Sequence, residues 1–393
     1  MLPASTDVLI VGAGPTGLTL AIALRQAGIG HLLVDRLPEG QNTSRAAVIH
    51  AHTLEALQPL GVADTLVARG LRLERFALRD RDRPLMQLRF DGLPSAHRYI
   101  LMIPQDETER VLAARLAALG GTVHRSITAT AVEQEGDGAR VTLATPDGER
   151  PFCARYVVGG DGMKSLVREA AGIAFDGVAF EGAFVLADVR MEWPLGCSEV
   201  SLYFAPDGML VVAPLPNGSF RLVAEVADAP AEPGLADVQA LIDARGPATD
   251  AAQVQSVVWS SRFHLHHRIA RSYRSGRLLL IGDAAHVHSP AGGQGMNTGI
   301  VDAVTLAGML AEVVRGERPD AWLDGYGALR RPAAEQVFAL SSRLTALATT
   351  RGPARQAVRN AFLSILGTLP PARRRIEMNL SGLARRDAAR LAA

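Results

Sequence analysis

Asp7-Val8-Leu9-Ile10-Val11-Gly12-Ala13-Gly14-Pro15-Thr16-Gly17 is the stretch on which the fold turns. Five apolar-rich residues read as a short buried strand, and three glycines at fixed spacing follow at once. Leu18 to Ala27 then reads as a helix ended by Gly28, and His31-Leu32-Leu33-Val34 as a second strand ending at Asp35. This is a complete β-α-β unit. Gly12 permits the tight turn out of the strand, Gly14 lets a pyrophosphate approach the backbone, and Gly17 lets the helix pack closely on the sheet. The helix start offers free N–H groups and a positive dipole end to phosphates. Asp35, with Arg36 beside it, lies 18 residues after Gly17, where a carboxylate accepts hydrogen bonds from a ribose. The motif predicts a dinucleotide and by itself leaves FAD and NAD both open.

The rest of the composition sets bounds. A chain of 393 residues accommodates two or three compact units, and 48% hydrophobic residues suit a globular protein. Forty-one Lys plus Arg against 40 Asp plus Glu leave no electrostatic footprint for nucleic acid. Cys153 and Cys197 are the only cysteines, too few for a disulfide framework or a zinc quartet, so no metal and a cytoplasmic setting are expected. The first apolar run is short and has no basic flank, unlike a signal peptide, and no uninterrupted apolar stretch has membrane-spanning length. Arg373-Arg374-Arg375 and Arg385-Arg386 read as a solvated helix face.

Two later segments choose the cofactor. Ala154 to Val158, strand-like, leads into Gly159-Gly160-Asp161-Gly162 and then Met163 to Arg168, read as the start of a helix. Arg277 to Ile281 leads into Gly282-Asp283-Ala284-Ala285-His286, then Ser289-Pro290-Ala291-Gly292-Gly293-Gln294-Gly295-Met296-Asn297 and a long helix from about Thr298. In this order and spacing the three motifs resemble the single-component FAD-dependent aromatic hydroxylases, the para-hydroxybenzoate hydroxylase superfamily, in its phenol and polyketide hydroxylase branch. The resemblance runs from about Asp7 to Leu344. It implies that Asp161-Gly162 lies near the pyrophosphate, that Asp283 meets the ribityl hydroxyls of FAD, and that the glycines after Pro290 approach the ring. Arg45, in Thr43-Ser44-Arg45-Ala46, matches the family arginine that contacts flavin or pyridine nucleotide, and Gln105 the family's FAD-contacting glutamine. His52 stands where relatives usually carry arginine, and so is left outside the site. The expected cofactor contacts are Gly12, Gly14, Pro15, Thr16, Gly17, Asp35, Arg36, Arg45, Gln105, Asp161, Gly162, Gly282, Asp283, Pro290, Gly293, Gln294, Gly295, Met296 and Asn297.

Between Gly182 and Val226 the texture changes to short strands with hairpin signals at Pro206-Asp207-Gly208 and Pro216-Asn217-Gly218. Gln255 to Phe263 reads as a returning strand, and Leu71 to Phe90 as further strands of the same sheet. The expected class is α/β: a Rossmann-like FAD-binding domain (residues 1–70, 98–180 and 268–345), a discontinuous β-sheet substrate domain (71–97 and 181–267) and a C-terminal helical segment (346–393). Tyr203, Met209, Val211 and Arg221 are the candidate substrate-cavity residues, Arg221 standing out as a charge in an apolar strand. His264, His266 and His267 cluster without a metal-ligand spacing.

The resemblance implies an NAD(P)H-using monooxygenase, with NADPH or NADH as transient reductant, that hydroxylates a phenolic or polyketide-like aromatic with O2 through a C(4a)-hydroperoxyflavin. The cofactor carries that chemistry, so no side-chain acid or base is assigned. A single three-glycine fingerprint leaves no separate nicotinamide domain. A flavin-dependent reductase or halogenase on the same scaffold is the alternative, and a non-enzymatic FAD-binding protein the third reading. Trp193, Trp259 and Trp322 stand alone, without the Trp-x-Trp pairing of halogenases. No membrane partner is expected, and a monomer or a homodimer fits equally.

Overall fold

The computed structural model describes residues 2–40, 46–226, 228–249, 252–289, 292–348 and 350–386. The opening strand, Ser5–Val11, lies at the heart of an eight-stranded sheet, paired in parallel with His31–Val34 on one side and Gly148–Gly159 on the other. Leu278–Leu280 continues the parallel order beyond Gly148–Gly159. A run of parallel strands has both faces covered, which explains the continuous apolar character of Val8 to Val11. Helix Pro15–Gln26 covers one face, with Pro15 in the first turn where its missing N–H costs nothing. Helix Gly295–Val314 packs against it. Among the described residues this is the one helix with the length and apolarity of a membrane span, and most of it is buried in the core.

A second eight-stranded sheet stands over the first. Its order is His286–Val287, Gln253–Ala270, Phe175–Glu192, Phe220–Val226, Gly208–Pro214, Glu199–Ala205, Arg75–Asp80 and Arg83–Arg89. All neighbours are antiparallel except Glu199–Ala205 with Arg75–Asp80. The hairpin signal at Pro206-Asp207 closes on the pair Ala205 and Gly208. The sheet draws strands from distant parts of the chain, as expected, with one difference: Leu71–Leu73 joins a small sheet with Val48–Ile49 and Ile100–Met102.

The expected boundaries near 180 and 267 fall inside two 18-residue strands, Phe175–Glu192 and Gln253–Ala270, which run from the cofactor region into the second sheet without a linker. The boundary at 345 falls inside helix Asp324–Ala348. Helix Pro353–Thr368 then packs on the strand Arg83–Arg89, and Pro370–Leu380 follows. The segment after Asp161 forms only a five-residue helix, Leu166–Ala170, capped by the Ser165 hydroxyl.

Candidate functional site

A cavity of about 1130 Å³ runs between the two sheets, from the first glycine turn to the underside of the second sheet. Small-molecule pockets typically measure roughly 300–1,000 Å³, so this one lies at the top of that range.

Its floor is made largely of backbone. Gly12 adopts φ +105°, and a Cβ there would stand 2.3 Å from the carbonyl oxygen of Gly160. A Cβ on Gly17 would stand 1.9 Å from the oxygen of Gly12, so the helix reaches the turn only because both residues lack side chains. The Asp35 carboxylate accepts the N–H of Ala13 at 2.6 Å and that of Leu37 at 2.8 Å, with Arg125 at 3.7 Å. It thereby ties the end of the second strand to the glycine turn. Asp161 turns one oxygen into the short helix, accepting from Leu166 N at 2.8 Å and Val167 N at 3.3 Å. Its other oxygen is buried without a hydrogen-bond partner, and burial pushes its pKa up.

Of the expected cofactor contacts, Gly12, Gly14, Pro15, Thr16, Asp35, Arg36, Gln105, Asp161, Gly162, Asp283, Gly293, Gln294, Gly295 and Met296 line this one cavity. Gly17, Gly282 and Asn297 stand behind the wall. A Cβ on Gly282 would meet the Thr16 hydroxyl at 2.9 Å, so that glycine serves packing between the first helix and the Asp283 turn. Asn297 accepts the His50 N–H at 2.8 Å and donates to Val48 O and Gly293 O, fixing the glycine-rich segment from below. Arg45 and Pro290 lie outside the described residues.

These residues fit FAD. The glycine turn leaves open space in front of Gly14, and a buried Asp161 oxygen awaits a donor. The cavity continues past Asp283 to the N–H groups at the start of Gly295–Val314.

The roof is made of side chains. Opposed residues in an antiparallel pair share a face. Leu202, Val211, Val223 and Leu186 form one cross-strand row over the cavity, and Ala213, Arg221 and Asp188 the next. Met209, Val211 and Arg221 therefore belong to the wall. Tyr203 does not: it opposes Leu210 on the outer face, edge-on to Trp193, under helix Leu235–Arg245. A one-residue difference in parity moves a side chain through the sheet, and Val200 and Leu202 take the positions assigned to Tyr203. Arg221 is 4% exposed, and its Nε and Nη2 each donate to Asp188 at 2.7 Å. Its Nη1 is buried and has no hydrogen-bond partner. A register shift at Asp188/Val189 lies beside the pair, of the kind that re-aims side chains near sites.

Between floor and roof stand histidines that the sequence reading had not assigned. His286 Nε2 lies 2.6 Å from Asp302, whose other oxygen accepts from Arg330 Nε at 2.7 Å, all three buried. The His288 ring stacks on it, with centroids 6.3 Å apart. His288 Nδ1 faces Ser289 O at 3.0 Å, which makes it the N–H donor and leaves Nε2 a bare acceptor, buried and unpartnered. Burial pulls both His288 and His50 down to about 4, so both are neutral at pH 7. The only sequence signal for His286 was its place directly after Asp283-Ala284-Ala285. His264, His266 and His267 form no metal site, and among the described residues no His/Cys/Asp/Glu cluster has that form.

The arrangement defines a flavoprotein: a dinucleotide anchor opening into a covered, mostly apolar chamber. The family described as FAD binding domain matches residues 5–341. The 6-methylpretetramide 4-monooxygenase of Streptomyces rimosus is 37% identical, covering 96% of this chain and 69% of that protein. The structure of OxyS anhydrotetracycline hydroxylase from Streptomyces rimosus superposes with a TM-score of 0.80 at 34% identity, over 96% of this chain and 76% of that one. That of p-nitrophenol 4-monooxygenase PnpA from Pseudomonas putida DLL-E4 superposes with a TM-score of 0.89 over 99% and 100% of the two chains; at 24% identity it speaks for the fold alone. The chain belongs to the FAD-dependent aromatic monooxygenases of the para-hydroxybenzoate hydroxylase superfamily. FAD is its cofactor, and the reductase, halogenase and non-enzymatic readings are not favoured.

Proposed function

We propose that this chain inserts one oxygen atom of O2 into a phenolic ring of a fused, polyketide-like aromatic, using NADPH or NADH as reductant. The single observation that carries the substrate class is the roof: an apolar wall drawn from several strands, interrupted by the Arg221–Asp188 pair. The polyketide substrates named for the S. rimosus relatives support the same class. The two cysteines are exposed and unpaired, which suits a reducing, cytoplasmic setting.

Bound FAD supplies the redox and oxygen-transfer chemistry. The chain's own residues do the rest. The glycine turn and the start of helix Pro15–Gln26 hold the pyrophosphate, and Asp35 the adenosine ribose. Asp283 would hold the ribityl chain, and the N–H groups at the start of Gly295–Val314 would stabilise negative charge on the bound ring. The apolar roof excludes water from the reacting face. Asp188 fixes the Arg221 guanidinium so that Nη1 donates a hydrogen bond to a substrate oxygen. His288 Nε2 accepts one from a substrate hydroxyl.

The test is direct. Purified protein is expected to be yellow and to release FAD on denaturation. NAD(P)H oxidation is expected to accelerate with fused polyphenols, with a product heavier by one oxygen atom. A broad panel that neither stimulates oxidation nor yields a hydroxylated product would sink this reading.

A further inference from the structure

Arg386 behaves as a solvated helix face should, half-exposed and paired with Glu55 through Nε at 2.9 Å. Arg385 overturns that expectation. It ends the short helical turn Leu383–Arg385 and is 7% exposed. Its Nη2 donates to Gln294 Oε1 at 2.8 Å and to Asn379 O at 3.1 Å, while Nη1 is buried with no hydrogen-bond partner.

Six arginines are buried among the described residues, and five have an acid nearby. Arg221 and Arg330 are ion-paired to Asp188 and Asp302. Arg168, Arg245 and Arg359 lie near Asp161, Glu225 and Asp80, which favour their charge. Arg385 has no acidic partner among the described residues. Burial, and then repulsion from Arg330, lower its pKa to about 10, which still leaves it charged at neutral pH. His50 and His288 nearby are neutral and do not share that charge. A buried cation without a counter-charge is costly, and the described residues supply none.

What Arg385 does touch is the cavity wall. Gln294 lines the cavity within the glycine-rich segment, its Nε2 donating to Leu380 O at 2.9 Å and Gly292 O at 3.1 Å. Its carbonyl end is given to Arg385.

We propose that Arg385 is the fixed positive charge that compensates the negative charge gained by the bound flavin ring on reduction, acting through Gln294 and the glycine-rich segment without contact. This rests on the placement of the ring beside Gly293 to Met296. Hydride from the nicotinamide brings two electrons and one proton, so a neutral oxidised ring becomes an anion with its charge on the pyrimidine half. A cation one layer behind the wall, in a medium of low dielectric, stabilises that product and not the oxidised form. Arg385 is thus a positioning residue for the charge, contributed by the last described turn of the chain.

The test compares Arg385→Met and Arg385→Lys in FAD-loaded protein. Sulfite is the probe: it donates an electron pair to N5 of the oxidised ring and leaves negative charge on the same half, with no nicotinamide or aromatic substrate needed. Arg385→Met is expected to weaken sulfite affinity about tenfold and to lower the two-electron reduction potential by the equivalent of about 30 mV. Arg385→Lys keeps the charge and is expected to stay within about threefold, and FAD affinity for the oxidised ring to move no further in either variant. The Met variant's apoprotein is expected to melt higher than wild type, since an unpaired buried charge is removed; a purely structural arginine would make it melt lower. An unchanged potential and sulfite affinity in a Met variant that binds FAD normally overturns the proposal alone. Equal losses in Met and Lys also overturn it. Wild-type protein that takes up no FAD would overturn the site reading together with it.

Discussion

The floor and the roof of the cavity are built by opposite rules. The floor is main chain: positive-φ glycine, carbonyls and N–H groups brought within contact because side chains are missing, with Asp35 and Asn297 as cross-ties. The roof is side chain: alternate residues of an antiparallel sheet, whose backbone tolerates almost any residue and whose identity sets the chamber's shape. A main-chain site is intolerant of substitution and binds a constant ligand. A side-chain site is tolerant and sets which variable ligand enters. The difference predicts that anchoring and selectivity in this molecule are separable by mutation.

The most severe way to break that contrast is Gly17→Val. Its Cβ would collide with Gly12 O, at the 1.9 Å found for an added Cβ. The expected cost is on the order of 4 kcal/mol, read as loss of FAD-loaded protein on gel filtration; normal flavin content would mean the floor is not main-chain limited. Next is acid. His50 and His288 fall to about 4 in the folded protein from an ordinary 6.5. Between those values the unfolded chain takes up protons that the native state does not. Their contribution is therefore complete above pH 6.5 and is lost as the pH falls toward 4, on the order of 3 kcal/mol for each. Urea titrations of wild type and His288→Asn across pH 4–7 are expected to show a flatter profile in the variant; superimposable slopes would remove the effect.

Asp35→Ala strips the acceptor from Ala13 N and Leu37 N. FAD affinity is expected to fall roughly tenfold or more, about 1–3 kcal/mol, with the substrate KM unchanged. The roof is sharpened by the double variant Asp188→Leu/Arg221→Leu, which avoids leaving one buried charge behind. It is expected to raise the substrate KM by about tenfold, roughly one lost hydrogen bond, with FAD affinity intact. Tyr203→Phe is the smallest change, within about 1 kcal/mol of stability and without effect on KM. A KM shift there would return Tyr203 to the chamber.

The same contrast explains what the sequence made legible. The turn from Asp7 to Gly17, the Asp35 terminus and the glycines around Gln294 are read from residue type, because only glycine fits where backbone meets backbone. The wall of Met209, Val211 and Arg221 is read from alternation, which gives a period but not a phase; hence alternation alone does not separate Tyr203, on the outer face, from Leu202, on the inner one. His286 and His288 depend on partners 16 residues away or on burial, and Arg385 on a glutamine 91 residues away. No local pattern carries such pairings. Likewise, a texture change suggests a domain boundary, while an unbroken strand can carry the chain straight across it.

Those two long strands, Phe175–Glu192 and Gln253–Ala270, hydrogen-bond to each other along most of their length while spanning both halves of the molecule. In mechanical terms they are a twin girder. A load that separates floor from roof shears many ladder bonds at once and finds no pivot to turn on. On the flank, helix Pro353–Thr368 presents Phe362 both to the cavity and to solvent, so the chamber reaches the surface beside the girder and not through it.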